Sequence, residues 1–343
     1  MTPKQWNVLV DVINGKIVKP LPIGFIIDSP WLPGWSGITA MEYYFNPQMW
    51  LDSNFKAINT FPEVIFLPGF WSEYGMCTEP SAFGAKCSWD ATELPFAHPT
   101  ITDIKKADTI VKPDPAKDGL LPFTLLRLKQ TQKQIESKGH NIKFAISRGP
   151  LNIASFLAGT TEFLMGIRTD SDIMSTMLNT ITDFIIDWLR LQAQTFPTID
   201  GIFVLDDIVG FLSDHDFIRF AKPWLKKIFN CLDVNVKFFH NDARGLVCAP
   251  HLAEIGINLF NFSHEHSLTE MRKLCGDKVT LLGNVPPRDV LALGTPDEVT
   301  QAVRAMLDSF EDRRGLITSC GGGIPQNVPT ENIKAFIEAV QKI

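Results

Sequence analysis

Short apolar runs recur along this chain, and each stops at a cluster of polar residues, Gly or Pro. Ile23-Gly24-Phe25-Ile26-Ile27 stops at Asp28, Val64-Ile65-Phe66-Leu67 at Pro68-Gly69, and Lys143-Phe144-Ala145-Ile146-Ser147 at Arg148-Gly149-Pro150. The layout returns at 201–205 before Asp206-Asp207, at 236–240 before Asn241-Asp242, and at 257–260 before Asn261. It returns again at 279–282 before Gly283-Asn284, and at 315–319 before Cys320 and three glycines. Such runs, bounded by breakers, predict buried strands.

Helical spacing fills most of the intervals. It covers 4–14, with Trp6, Leu9, Val10 and Ile13 on one side, then 41–55, 120–138, 152–167, 170–195, 213–229 and 330–341. Ser171 and Ser213 are suited to cap their helices, and Asp214 and Asp216 suit a first turn. The stretch 29–37, rich in Pro, Gly and Trp, reads as a loop. The long segment from Phe70 to Pro115 either wraps one end of the fold or carries function. Strands alternating with helices imply a parallel sheet, and eight such units predict an α/β fold of the TIM-barrel type, (β/α)₈, as a single domain over 1–343. The rival, an open doubly wound sheet, lacks a Gly-x-Gly-x-x-Gly after any strand.

In a barrel of this type the strand ends deliver their residues to one mouth. The collected set is Asp28, Arg148, Asp206, Asp207, His240, Asn241, Asp242, Asn261, Asn284 and Cys320. It is hydrogen-bonding and mildly acidic, which suits a neutral polar heterocycle. Asp28, Asp207 and Asn261 serve equally well as caps or loop polars. Asp206, His240, Asp242 and Cys320 come from separate strand ends and point to a site. The first arginine is Arg127, so strands one and two bring no guanidinium of their own for a polyanionic substrate.

Composition adds bounds. With 343 residues, 45% of them hydrophobic, the chain can bury a core without disulfides or metal. A net charge of -6 and the lack of a basic run argue against nucleic acid. Six cysteines without paired spacing read as reduced thiols. No stretch has the roughly 18 apolar residues of a membrane span, and the first residues lack the apolar core of a signal peptide, so a cytoplasmic location is expected.

The C-terminal third carries a resemblance. His240-Asn241-Asp242, Gly283-Asn284-Val285-Pro286-Pro287, Gly294-Thr295-Pro296-Asp297-Glu298-Val299 and Cys320-Gly321-Gly322-Gly323-Ile324-Pro325 through Pro329-Thr330-Glu331-Asn332 resemble the uroporphyrinogen decarboxylase superfamily. Glu79-Pro80-Ser81-Ala82-Phe83-Gly84, Gly149-Pro150 and Leu205-Asp206-Asp207 are similar to its corrinoid-dependent methyltransferase branch. Decarboxylases of the superfamily open with an arginine-bearing segment for the porphyrinogen carboxylates. Ile27-Asp28-Ser29-Pro30-Trp31 has none, so that reaction is not expected.

The resemblance implies two methyl acceptors to weigh. The thiol-methylating branch, of the coenzyme M type, holds zinc with His-x-Cys and a later Cys. Here His240 and Cys320 are kept but Asp242 stands in place of the first Cys, which makes His240, Asp242 and Cys320 the alternative zinc ligands. Without zinc the implied acceptor is tetrahydrofolate, methylated at N5 from methylcobalamin on a partner corrinoid protein. Asp206, Asn241, Asp242 and Asn284 would then orient the pterin. His240 would manage the N5 proton or hold a neighbour in place. Arg148, Asp28, Asn261, Cys320, Trp71 and Glu79 complete the candidate substrate-binding set. Trp31, Trp35, Trp71 and Phe70 would either stack on the ligand or pack the core. A third reading, a non-catalytic corrinoid or tetrapyrrole carrier, stays open. The resemblance also suggests a homodimer.

Overall fold

A computed structural model describes residues 1–243 and 246–342. All eight expected strands form: β1 Ile23–Ile26, β2 Val64–Leu67, β3 Phe144–Arg148, β4 Gly201–Leu205, β5 Val236–Asn241, β6 Leu259–Phe262, β7 Thr280–Val285 and β8 Leu316–Cys320. They make one parallel sheet in the order β2-β1-β8-β7-β6-β5-β4-β3. Pairing of the first strand with the last curls the sheet into a TIM barrel in a single domain. The ladder stops at β2 and β3, so the barrel has a seam there.

Side chains close that seam. Gln192, on the long helix Ser171–Thr195, accepts from Ile146 N at 2.9 Å and donates to Ile146 O at 2.9 Å. Its amide takes the place of a neighbouring strand against the edge of β3. On the other lip, Gln5 Nε2 donates to Val64 O at 3.1 Å. Trp71 follows β2 and lies edge-on to Phe203 with ring centroids 5.6 Å apart, filling the barrel below the mouth.

Period-two alternation sorts every strand into two faces. Ile26, Ile65, Phe144, Phe203, Phe238, Leu259, Leu282 and Ile317 pack inside the barrel, and the helix Pro3–Ile13 closes its bottom with Trp6, Leu9 and Val12. Their strand neighbours, such as Phe25, Ile202, Phe239 and Leu281, pack outward against the helices.

The helices deviate from expectation at their breakers. The stretch 41–55 is two helices, Ala40–Phe45 and Pro47–Thr60, because Asn46 is extended before Pro47 and its side chain caps Gln48 N and Met49 N. The stretch 152–167 splits into Pro150–Ala158 and Thr160–Thr169 at Gly159, whose φ is 88°. The stretch 213–229 splits into Asp214–Phe220 and Lys222–Phe229 around Pro223, with Ser213 capping as expected. Ser171 does not cap; its hydroxyl accepts from Arg219 instead. The expected loop 29–37 contains a helical turn, Leu32–Ser36. Helices Leu268–Cys275 and Pro296–Asp308 come in addition, the second with a Thr295–Glu298 capping box. Among the described residues no helix is long and apolar enough to cross a membrane.

Candidate functional site

The alternation that builds the core also selects the mouth residues. On β5, Phe238 faces inward, so His240 and Asp242 continue that face and Asn241 turns outward. After β4, Leu205 packs against the inner cluster and Asp207 follows it, while Asp206 points the other way.

His240 is the centre. Its Nδ1 lies 2.8 Å from Asn261 Oδ1. Asn261 donates its own amide hydrogens to Leu282 O at 2.8 Å and Cys320 O at 3.2 Å, so its oxygen is the acceptor and His240 Nδ1 carries a proton. Nε2 then faces the mouth. It lies 3.7 Å from Asp207 Oδ1 and 3.7 Å from Asp242 Oδ2. The Asp242 backbone N–H donates to Asp207 Oδ1 at 3.3 Å, which ties the two acids together. Burial raises the Asp207 carboxyl above its ordinary range; Asp242 adds to that and His240 opposes it. One donor atom from each of Asp207, His240 and Asp242 lies within 4.8 Å of the others. An imidazole anchored at Nδ1, with Nε2 between two carboxylates, is able to accept a proton or to join the carboxylates around a cation.

A second cluster lies where β1 and β3 end. Arg148 continues the inner face of β3 and is buried. Its Nη2 donates to Glu73 Oε2 at 3.0 Å and its Nη1 to Glu79 Oε2 at 3.3 Å. Burial disfavours the Arg148 charge, but Glu73 and Glu79 outweigh it and hold the guanidinium protonated. Both glutamates come from the long segment after β2, so that segment does more than cover the barrel. Strands β1 and β2 bring no arginine, yet two reach this side from later in the chain, Arg148 and Arg127. Arg127 donates to Glu73 O and Ser72 Oγ and lies over the Tyr74 ring at 4.6 Å. Neither is free to clamp a polyanion. Asp28 sits at the end of β1 beside Glu73 and Arg148, half-buried, its carboxyl raised well above the usual range by burial and then by Glu73.

The model of one protein family matches residues 11–343, that of uroporphyrinogen decarboxylase (URO-D). The chain belongs to this family. Relatives include the uroporphyrinogen decarboxylases of Psychromonas ingrahamii and of Aliivibrio salmonicida, each 26% identical over 280 residues, which cover 78% of this chain and 76% of the relative. Among solved structures, a methyltransferase from Methanosarcina mazei superposes with a TM-score of 0.79 at 19% identity, over 97% of both chains. That likeness is one of fold.

Within this URO-D-family barrel several residues expected at the mouth do other work. Asp206 is fully buried and its two oxygens accept from Leu151 N at 2.9 Å and Asn152 N at 3.1 Å. It caps the helix Pro150–Ala158 from a distance, and a Cβ on Gly149 would come within 2.3 Å of it. Both oxygens are thereby engaged in holding that helix. Asn241 is buried on the outer face; it accepts from Ala243 N at 3.1 Å and donates to Cys248 Sγ at 3.8 Å. Cys320 also faces the helix layer, where its thiol bonds to Gly322 O at 3.3 Å and burial pushes it up to about 12. The alternative zinc set of His240, Asp242 and Cys320 is therefore not assembled; Asp207 takes the third position. Asn284 donates to the His266 carbonyl. Trp31 and Trp71 are buried, with Trp31 stacked on Trp35 at 4.6 Å, and all three pack the core. Glu73 was the residue hardest to single out. Glu73 lies in an irregular segment without a spacing to mark it, whereas inner-face parity does mark Asp207.

Proposed function

We propose that this enzyme moves a methyl group from a methylated corrinoid, borne by a partner protein, to N5 of tetrahydrofolate. The observation that carries the reading is the committed state of Arg148. A substrate with several carboxylates needs guanidinium forks, and the forks of Arg148 are held by Glu73 and Glu79. Among the described residues, what remains at the mouth is carboxylate, carboxyl and imidazole, a set suited to ring N–H and C=O groups. Exposed apolar side chains on the segments after β1, β2, β4 and β7, namely Phe45, Phe96, Phe211 and Leu293, offer the partner a rim to dock on.

The corrinoid supplies the methyl group and keeps the electron pair of the broken bond. The protein's part is alignment and proton handling. N5 of the acceptor is a secondary amine that gains a carbon and must lose its proton. His240 Nε2 is the base in reach of the mouth, since Nδ1 is already protonated against Asn261. Asp207 and Asp242 stabilise the imidazolium that results. The test is an acceptor screen with methylcobalamin, followed by the cobalt spectrum. Tetrahydrofolate should yield cob(I)alamin and coenzyme M should not; cob(I)alamin only with thiols, or with no acceptor, rejects the reading.

One observation favours a second reading. Two carboxylate oxygens and one imidazole nitrogen, with the imidazole oriented by Asn261, make a donor set that fits a divalent cation of hard or borderline character. Asp207, His240 and Asp242 would hold it, and it would supply a Lewis acid at the mouth. The set contains no thiolate, which sets it apart from the sulfur-rich site implied for thiol methylation. Metal analysis of the wild type and of Asp207→Asn decides: stoichiometric metal lost in the variant supports this second reading, and a metal-free active enzyme removes it.

A further inference from the structure

The bottom of the barrel, opposite the mouth, has a cavity of its own. It measures about 620 Å³ and lies between the helix Pro3–Ile13, the segment leading into β1, the start of β2 and the end of the helix Pro47–Thr60. Small-molecule sites fall in the range of roughly 300–1,000 Å³. Val8, Val18, Leu21, Ile23, Ile58 and Ile65 form its walls, together with prolines. No Phe, Tyr or Trp is among the described residues that line it, so a flat ring finds no face to stack on. Such walls suit a flexible aliphatic chain.

Two polar observations say what that chain must carry. His140 lines the cavity and is 7% exposed, and its Nδ1 has no hydrogen-bond partner among the described residues. Phe55 and Phe70 pack edge-on to the ring, which keeps it from swinging out to water. A buried ring nitrogen left open at a cavity wall marks a contact that a ligand atom completes. Lys4 and Lys19 line the same cavity from its exposed rim, against one acid, Glu63, and none of the three forms an ion pair among the described residues. Two cations and one acid around an apolar cavity leave an excess of positive charge, which favours an anionic head.

We propose that this cavity binds a medium-chain aliphatic carboxylate, with its chain against the apolar walls and its head met by Lys4, Lys19 and His140 Nδ1. The tautomer with Nδ1–H donates to a carboxylate oxygen, a charge-assisted bond, and the lysines supply charge. The site lies at the other end of the barrel from His240 and does not rest on the function proposed above.

Calorimetry with decanoate is the test. The wild type should bind a single decanoate per chain, and octanoate about tenfold more weakly, because two fewer CH₂ groups are buried. Decanol has the same chain without the charge and should bind about three- to tenfold more weakly than decanoate. The double variant Lys4→Gln, Lys19→Gln should lower decanoate to the level of decanol and leave decanol unchanged. His140→Phe keeps a ring but removes Nδ1, and should weaken decanoate by about three- to tenfold. Val8→Trp fills the cavity and should abolish binding, with circular dichroism to check its fold. His240→Ala, at the mouth, should bind decanoate as the wild type does. No binding by the wild type overturns the proposal, as does undiminished binding by the double lysine variant, by His140→Phe or by a folded Val8→Trp. Loss of binding in His240→Ala would place the ligand at the mouth and also overturns it. A wild type that is a dimer in sedimentation, and a monomer in Val8→Trp, would mean that a second copy of the chain fills the cavity, and the proposal fails.

Discussion

His240 and Asn261 are joined through Nδ1 and Oδ1 at 2.8 Å, and this bond decides which imidazole nitrogen faces the mouth. Asn261 cannot reverse its amide without setting its NH₂ against the His240 Nδ1 proton and its oxygen against Leu282 O and Cys320 O. In Asn261→Ala the ring is free to exchange tautomers. The proposed methyl-transfer activity should fall about 10- to 100-fold, the usual cost of losing an orienting partner. Nitrogen-15 NMR should show a single Nδ1-protonated His240 in the wild type and a mixture in the variant. An unchanged tautomer with unchanged activity would remove Asn261 from the mechanism.

The barrel was legible because its strands are short apolar runs punctuated by Gly, Pro and Asp, and parallel strands buried on both faces leave that trace. The mouth was legible only in part. Period two, applied from Phe203 and Phe238, selects Asp207, His240 and Asp242 and turns Asp206 and Asn241 away. Reading all strand-end polars as one set blurred that distinction. Asp206 was singled out because separate strand ends converge on one mouth, but the first turn of a helix 55 residues earlier in the chain, at Leu151, holds its carboxylate. Glu73 and Gln192 were not readable at all. Each acts through a contact made across more than 40 residues of sequence, with Arg148 and Ile146, and no local pattern announces it.

The Arg148 cluster should be a stability element as much as a site wall. Arg148→Met leaves Glu73 and Glu79 buried without their cation. Breaking one side of a buried pair costs about 3–5 kcal/mol, and urea denaturation should show a loss of that size. Adding Glu73→Gln and Glu79→Gln to the same variant should recover most of it. A single variant as stable as wild type would mean that water reaches the cluster.

Stability should also fall in mild acid, through His140. Its ring is buried edge-on to Phe55 and Phe70 at 6.0 and 5.8 Å, and its Nδ1 has no hydrogen-bond partner among the described residues. Burial, helped by the nearby α-amino group, lowers it from the ordinary 6.5 to about 4. The unfolded chain then binds a proton that the folded one refuses between those values. Stability is therefore full above the unfolded value and drains away as pH falls towards about 4, by about 1–2 kcal/mol. Denaturation midpoints across this window should slope in the wild type and flatten in His140→Leu. Parallel slopes in the two proteins would place the acid sensitivity elsewhere.

The seam between β2 and β3 depends on Gln192. Its amide satisfies both the N–H and the C=O of Ile146 at the free edge of β3, two groups that a neighbouring strand would otherwise pair. Gln192→Leu keeps the bulk and removes both partners, and should cost about 1–3 kcal/mol in urea denaturation. Gln192→Glu keeps the shape and one acceptor but sets a buried carboxylate against Ile146 O, so it should be no better than Leu. Hydrogen exchange at Ile146 gives the local readout: protection should drop in both variants while the amides between β5 and β6 keep theirs. If Ile146 stays protected in Gln192→Leu, the edge is closed by something other than this side chain.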